Sequence, residues 1–219
     1  MTQPHRIRYL ALRQQVIRAA RHLNNTGLAF GRSGNVSVRV PGKSDSLLIT
    51  PSGVQYERLR PADIALLRKD GTWSGRLSPS SEWPVHAAIA QAYPEANAIV
   101  HCHSPNATAL ACLRQEIPPF HYMNAKTGGA SIPCTPYATP GSEELAKYAV
   151  EALKNQHACL LANHGQIVFG KNLSSALELA GEVEQLAHMY ILARSIGEPV
   201  LLTAWEMREM LVMFQSYGT

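Results

Sequence analysis

The sequence predicts an α/β sandwich built around a mixed β-sheet. Three observations support this prediction. Short stretches with alternating apolar residues are typical of strands, and longer stretches with apolar residues every three or four positions are typical of helices. The two kinds of stretch are interspersed along the chain, as in α/β proteins. No repeat, low-complexity tract or linker divides the 219 residues, so we expect a single domain over residues 1–219.

The N-terminal part of the chain contains one predicted helix and two predicted hairpins. The helix covers about residues 6–24, where apolar residues recur at helical spacing, and a turn that contains glycine ends it. Valines alternate with polar residues over 36–40, a period of two that is typical of a half-buried strand. Turns rich in Gly and Asp lead to further predicted strands over 47–50, over 64–68 and around Trp73.

The rest of the chain alternates predicted helices and apolar strands. A helix begins near Ser81, with Pro84 tolerated in its first turn, and Pro94 ends it. Further strands are predicted over 98–103, 158–162 and 167–169. Further helices are predicted over 105–114, 173–195 and 204–216.

Composition excludes several classes of protein. Hydrophobic residues make up 46% of the chain and charged residues 16%, which is ordinary for a globular protein. No apolar run approaches the ~18 residues that span a bilayer, and the first residues lack the apolar stretch of a signal peptide. The four cysteines form no Cys-x-x-Cys pair, so we expect reduced thiols and a cytoplasmic location. A formal net charge of +4 is too small to indicate a nucleic-acid partner.

Three histidines form the sharpest local signal. In a strand, His101 and His103 would project from the same face, with Cα atoms ~6.5 Å apart, which lets two imidazoles bind one cation. His164 follows another apolar strand. Three neutral imidazoles leave an open coordination position, as catalytic zinc requires. From the residues alone, ordinary surface or core histidines on a strand remain the alternative.

Three loops of small, hydrogen-bonding residues accompany the histidines: Ser33-Gly34-Asn35, Thr50-Pro51-Ser52-Gly53 and Ser80-Ser81-Glu82. Each alone is explained by a turn or by ordinary helix capping. Together, their hydroxyls, amide and backbone N–H groups would make a phosphate site with little need for Arg or Lys. The sequence contains no Gly-x-Ser-x-Gly elbow, Walker loop or dinucleotide fingerprint.

Seven motifs together resemble the class II aldolase and adducin-head family. They occur in family order, over residues 12–218, and their joint occurrence is far more specific than any one of them. They are Gly34-Asn35-Val36-Ser37, Ile49-Thr50-Pro51-Ser52-Gly53, Ser80-Ser81-Glu82-Trp83, Val100-His101-Cys102-His103, His121-Tyr122-Met123, Pro136-Tyr137-Ala138-Thr139 and Asn163-His164-Gly165.

The resemblance implies a three-layer α/β/α sandwich around a mixed, largely antiparallel central sheet. It also implies a metal-dependent aldolase, a carbon–carbon lyase. Such an enzyme cleaves a ketose 1-phosphate, L-fuculose 1-phosphate or a related sugar phosphate, to dihydroxyacetone phosphate and an aldehyde through a zinc-stabilised enediolate. The implied partner is a small sugar phosphate, with no nucleic acid or membrane. The implied assembly is a homotetramer with active sites at subunit interfaces.

The resemblance also assigns roles to residues of this chain. One Zn²⁺ per subunit, or another divalent metal, would be bound by His101, His103 and His164. The catalytic residues would be Glu82, as the acid/base carboxylate, and Tyr122 and Tyr217, which family members supply across the subunit interface. The phosphate-binding positions would be Gly34, Asn35, Ser52, Gly53, Ser80 and Ser81.

Two residues depart from the family pattern and leave the substrate open. Lys126 stands where the family's aldolases are usually small and apolar, and Arg32 replaces a smaller residue before the first phosphate loop. A sugar-phosphate 4-epimerase, a decarboxylase or a dehydratase on the same scaffold is the first alternative, although Glu82 favours an aldolase over the epimerase, whose members tend to carry Asp there. A non-catalytic interaction module like the adducin head is the second, and the three histidines with Glu82 argue against it.

Overall fold

The computed structural model describes residues 7–216, without the side chains of residues 44, 215 and 216. Within these residues, the helices are α1 (Leu10–Asn25), α2 (Trp83–Ala92), α3 (Pro105–Cys112), α4 (Glu143–Ala152), α5 (Leu173–Ile196) and α6 (Ala204–Ser216). The strands are β1 (Asn35–Val40), β2 (Lys43–Ile49), β3 (Ala65–Arg68), β4 (Trp73–Ser74), β5 (Ala98–Cys102), β6 (Ala158–Leu161) and β7 (Gly165–Gly170).

The seven strands form one sheet in the order β4-β3-β2-β1-β5-β7-β6. Every pairing between these strands is antiparallel. The parallel component that the sequence predicts is limited to an isolated bridge between Cys134 and Leu160. Two central pairings, β1 with β5 and β5 with β7, bring distant parts of the chain side by side near the histidines.

Helices cover both faces of the sheet, which confirms the three-layer α/β/α fold. One apolar core lies between the sheet and helices α1, α3 and α5, and it includes Val100 and Cys102 of β5. The other lies between the sheet and helices α2 and α4, and it includes Ile99 of β5. Because side chains alternate along a strand, His101 belongs to the same face as Ile99 and α2.

Two local predictions differ from the structure. The turn before the strand predicted over 47–50 is shorter than expected, because Val40 pairs with Lys43 and strand β2 already begins there. Gly42, with a φ of 73°, supplies the left-handed residue of this tight turn. Helix α4 is not among the predicted elements, although Ser142 caps it by accepting a hydrogen bond from the backbone N–H of Leu145 at 3.1 Å.

None of the helices in residues 7–216 combines the length and the apolar character that crossing a bilayer requires.

Candidate active site

Four side chains converge at one end of the central strands: His101, His103, His164 and Glu82. One nitrogen or oxygen atom from each lies within 4.8 Å of the corresponding atoms of the others. The Nε2 atoms of His101 and His103 are 3.0 Å apart. The centroids of the three rings form a nearly equilateral triangle with sides of 4.7 to 4.9 Å. The structure therefore brings together the three histidines that the sequence singles out.

Each of these side chains comes from a different structural position. His101 lies on β5, and His103 follows one residue after the end of that strand. His164 lies in the short turn between β6 and β7, where its N–H donates to the carbonyl of Leu161 at 3.0 Å. Glu82 is the N-cap residue of α2, which packs on the face of the sheet that carries His101.

Two glycines let the backbone approach the cluster closely. Gly34 has a φ of 78°, and a Cβ atom there would lie 2.6 Å from the carbonyl oxygen of His101. At Gly165, a Cβ atom would lie 2.5 Å from the carbonyl oxygen of Cys102 and 3.0 Å from Cδ2 of His103. No side chain fits at either distance, so both positions depend on glycine.

The Glu82 carboxylate is the electrostatic centre of the cluster. Its Oε2 lies 3.1 Å from Nε2 of His101, and its Oε1 lies 3.1 Å from Nε2 of His164. Burial alone would raise the pKa of this carboxyl, but the two imidazoles hold that pKa well below its usual range. The side chain is 13% exposed, so an ionised carboxylate remains accessible to a small molecule.

The environment shifts the pKa values of His101 and His103 in opposite directions. Burial opposes a charge on His101, yet the adjacent Glu82 carboxylate raises its pKa. Burial and the neighbouring imidazoles lower the pKa of His103 to about 4. At neutral pH, His103 is thus an uncharged imidazole, the form that binds a metal ion.

The donor set fits a divalent metal ion. Nδ1 of His101 lies 2.8 Å from the carbonyl oxygen of Gln166, so Nδ1 carries a proton, and Nε2, which faces the cluster, is the nitrogen available to a metal ion that displaces its proton. Three imidazole nitrogens, with a carboxylate oxygen beside them, are ligands typical of zinc and related transition metals. The fold alone places these donor atoms where they could bind a metal ion.

The three predicted phosphate loops meet beside this cluster. Pro51 and Pro79 form an isolated antiparallel bridge, and the N–H of Ser80 donates to the carbonyl of Thr50 at 2.9 Å. Arg32 joins the remaining loop to them, since its guanidinium donates to the carbonyl of Gly53 at 3.3 Å.

The predicted phosphate-binding residues differ in their exposure. Ser52, Gly53 and Ser81 are exposed, and Gly34 is half-buried. Ser80 is buried, and its hydroxyl accepts a hydrogen bond from the N–H of Glu82 at 3.3 Å. Asn35 is also buried, and its amide donates to Glu82. Their role in binding phosphate remains a prediction.

The two predicted catalytic tyrosines occupy different situations. Tyr122 begins a 3₁₀ helix (Tyr122–Thr127), is 49% exposed, and has its ring centroid 4.8 Å from that of His121. Tyr217 lies outside the described residues. Lys126, in the same 3₁₀ helix, forms an ion pair with Glu182 of α5 at 3.3 Å.

Three buried residues support the site although the sequence predicted no role for them. His86 and Ser37 continue the hydrogen-bond network of Asn35. The hydroxyl of Tyr56 donates to the carbonyl of Ser33 at 2.9 Å and so holds the first phosphate loop. His86 lies four residues after Glu82, a spacing that places both on one side of a helix, but this spacing does not identify the partners of His86 on β1.

Known proteins resemble this chain over nearly its whole length. The model of the family "Class II Aldolase and Adducin N-terminal domain" matches residues 14–191. The chain is 47% identical to a 5-methylthioribulose-1-phosphate/5-deoxyribulose-1-phosphate aldolase of Rhodospirillum rubrum, covering 95% of this chain and 93% of the relative. It is 44% identical to the L-fuculose phosphate aldolase of Escherichia coli, covering 94% of this chain and 95% of that relative. A solved L-fuculose 1-phosphate aldolase superposes with a TM-score of 0.92 at 37% identity, covering 97% of this chain and 100% of that one.

Proposed function

Because the chain belongs to the class II aldolase and adducin N-terminal domain family, we propose that it is a metal-dependent aldolase. It cleaves a ketose 1-phosphate to dihydroxyacetone phosphate and an aldehyde. The observation that carries the proposal is the convergence of three imidazoles and the Glu82 carboxylate within 4.8 Å. A non-catalytic interaction surface has no use for such a cluster.

We propose zinc as the metal, with one ion per chain held by His101, His103 and His164. Support comes from the three imidazole donors and from the proton on Nδ1 of His101, which makes Nε2 the nitrogen available to an ion. A bound divalent cation would withdraw electron density from the ketone oxygen and so stabilise the enediolate that carbon–carbon cleavage produces.

Glu82 transfers the proton during cleavage. Its carboxylate faces the cluster, is partly exposed, and is ionised at neutral pH because the two imidazoles lower its pKa. An ionised carboxylate at this position is suited to accept the proton of the hydroxyl group that becomes the aldehyde and to return it to the enediolate carbon, which gives dihydroxyacetone phosphate. Tyr122, half-exposed in this chain, and Tyr217 are proposed to contact the aldehyde oxygen from across a subunit interface. They would donate a proton to this oxygen when the reaction runs in the direction of condensation.

The three loops around Gly34, Ser52 and Ser80 bind the phosphate. The backbone hydrogen bonds and the Arg32 contact that join these loops support this role. Contacts to a phosphate far from the reacting bond orient the substrate against Glu82. Arg32 adds a positive charge at the rim, where it favours an anionic substrate.

We further propose that the substrate is a ketose 1-phosphate whose last carbon bears no hydroxyl. Among the relatives, one is named for L-fuculose phosphate and another for 5-methylthioribulose and 5-deoxyribulose 1-phosphates. These sugars share the phosphate, the ketone and a terminal carbon without a hydroxyl. The aldehyde product differs between them, so a panel of all three is the appropriate assay.

A homotetramer is part of the proposal. Apolar side chains are exposed around the end of α5 and on α6, including Ile196 and Val200, each 90% exposed, and Trp205. Helix α6 packs against the 3₁₀ helix that carries Tyr122, so this surface lies beside a proposed catalytic residue. Exposed apolar surface of this kind is typical of a contact between subunits.

The four free cysteines support a reducing, cytoplasmic location.

The experiment that tests this function is a metal-dependent cleavage assay. Purified protein is loaded with zinc and offered the three ketose 1-phosphates, and release of dihydroxyacetone phosphate is measured before and after chelation. We expect release that the chelator abolishes and zinc restores. Bound metal without release from any of the three would instead indicate the 4-epimerase, decarboxylase or dehydratase alternatives, which the same cluster could serve.

A further inference from the structure

A chain of hydrogen bonds runs through the protein interior and ends on the Glu82 carboxylate. The hydroxyl of Ser37 lies 2.7 Å from Nδ1 of His86. Nε2 of His86 lies 2.5 Å from Oδ1 of Asn35, and Nδ2 of Asn35 lies 2.9 Å from Oε2 of Glu82. Ser37 and His86 are fully buried and Asn35 is 2% exposed, so the network has almost no contact with water.

The network follows from matched spacing on two elements. Asn35 and Ser37 are two residues apart on β1 and project from the same face of the sheet. Glu82 and His86 are four residues apart at the start of α2 and lie on one side of that helix. Helix α2 packs on this face of the sheet, so the two pairs of side chains meet.

Only one assignment of donors and acceptors satisfies every hydrogen bond of this network. The ionised Glu82 carboxylate only accepts hydrogen bonds, so Asn35 turns its NH₂ group toward it. The carbonyl oxygen of Asn35 then accepts from Nε2–H of His86, and Nδ1 of His86 accepts from the hydroxyl of Ser37. Burial lowers the pKa of His86 to about 3, in keeping with a neutral imidazole that has a single N–H.

We propose that His86 is a positioning residue, which fixes the orientation of the Glu82 carboxylate through Asn35. The inference rests on the proposed function, because Glu82 is the group that moves the proton there. His86 prevents the Asn35 amide from rotating. A rotated amide would turn its oxygen toward the carboxylate, and the repulsion would displace Glu82 from its place beside His101 and His164.

Packing alone does not account for this polar network. The neighbours of His86 on α2, Val85 and Ile89, are buried in an apolar core that holds the helix against the sheet. A fully buried imidazole costs free energy unless both of its nitrogens are hydrogen-bonded. An apolar residue would avoid that cost, whereas the network gives the carboxylate a defined orientation.

Two substitutions of similar polarity test the proposal. In His86→Gln, the terminal amide can place an N–H where Nε2 of histidine stood, so the bond to Asn35 is kept. In His86→Asn, the shorter amide reaches only the position of Nδ1, so the bond to Asn35 is lost while a polar group still faces Ser37. Thermal unfolding of both variants checks that they fold.

The measurements are steady-state kinetics with the zinc enzyme and the visible absorption spectrum of the cobalt-substituted protein. For His86→Asn we expect kcat to fall about 10- to 100-fold with KM changed by less than about 3-fold. Its cobalt spectrum should shift toward that of Glu82→Gln, since the carboxylate has moved, while the metal content stays unchanged. His86→Gln should keep the wild-type spectrum and a kcat within about 3-fold.

A folded His86→Asn variant with wild-type kcat and cobalt spectrum would overturn the proposal. So would a folded His86→Gln variant as impaired as His86→Asn. If neither variant folds, Ser37→Ala provides the test, with an expected several-fold loss of kcat, and full activity there also overturns the proposal. The cobalt spectra need no sugar phosphate, so they test His86 even if the wild-type protein cleaves none of the three and the proposed function fails.

Discussion

Gly34 and His101 are in such close contact that no side chain fits between them. A Cβ atom at Gly34 would lie 2.6 Å from the carbonyl oxygen of His101 and 3.2 Å from Cα of Cys102. Both neighbouring atoms belong to the backbone of β5, which is the strand that positions the histidines. The loop that contains Gly34 and the cluster of histidines therefore share one backbone contact.

We expect Gly34→Ala to destabilise the protein and weaken metal binding. The positive φ of 78° alone costs an alanine about 1–2 kcal/mol, and the clash with β5 adds to it. Gly42→Ala is the matched control, because Gly42 has a φ of 73° but a Cβ atom there would have no neighbouring atom within 4 Å. Denaturant unfolding and zinc titration measure the difference. Equal losses of stability in the two variants, with equal zinc affinity, would contradict the account.

Glu82→Gln should keep bound metal and lose most turnover. The substitution preserves shape but removes the group that accepts the proton, and general acid–base catalysis typically contributes about 10²- to 10⁴-fold. Glu95→Gln, at an exposed position after α2, is the control and should leave kcat unchanged. Unimpaired turnover of Glu82→Gln would remove this residue from the mechanism.

His103→Ala should weaken zinc binding while the protein remains folded. His103 contributes one of three nitrogens to the cluster, and it follows the end of β5, where truncation disturbs the sheet least. Loss of a partner outside the ligands typically costs 10- to 100-fold in metal affinity, and we expect the loss of a ligand to cost at least about 100-fold. His22→Ala, a histidine in the last turn of α1, is the control for zinc titration. Equal affinity in the two variants would exclude His103 as a ligand.

The stability of the metal-free protein should fall as the pH falls below about 6.5, and His86 should account for part of the loss. Burial, together with the charge of His101, lowers the pKa of His86 to about 3, whereas the unfolded chain takes up this proton near pH 6.5. Its contribution is thus complete above pH 6.5 and is lost as the pH approaches 3. By pH 4 the loss is about 3 kcal/mol.

Comparison with His86→Gln isolates this contribution. The free energy of unfolding of the variant should decrease less than that of the wild type between pH 7 and pH 4. Urea unfolding at several pH values measures both curves. Parallel curves would show that His86 titrates alike in the folded and unfolded protein.

Two of the three clustered histidines could be predicted to lie together because their signal is local and periodic. Alternation along a strand places His101 and His103 on one face whatever the rest of the fold. His164 is 61 residues beyond His103, and its place after another apolar strand, together with the family motifs, predicted that it joins the pair. The β5–β7 pairing brings it there. Alternation predicted strand β1, and turns and short apolar runs predicted most of the other strands, although antiparallel pairing throughout could not be derived from them.

The supporting residues could not be predicted because their roles depend on packing between distant elements. Asn35 has a place in a family motif, which predicted phosphate binding, but its contacts with Glu82 and His86 arise only when α2 packs on β1. Lys126 likewise has no partner in its own segment, and the structure supplies Glu182 from α5. Helical spacing between Glu82 and His86 was present in the sequence, but spacing does not identify the side chain of another element.

We propose that three histidines far apart in the sequence, His101, His103 and His164, hold one metal ion. Beside them, the Glu82 carboxylate transfers the proton when a sugar phosphate is cleaved. The most direct measurement combines metal analysis of the purified protein with release of dihydroxyacetone phosphate from the 1-phosphates of L-fuculose, 5-methylthioribulose and 5-deoxyribulose. We predict one zinc ion per chain, and release that stops on chelation and returns when zinc is added back. A protein that binds no metal at saturating zinc, or that releases the product equally well after chelation, would contradict the claim.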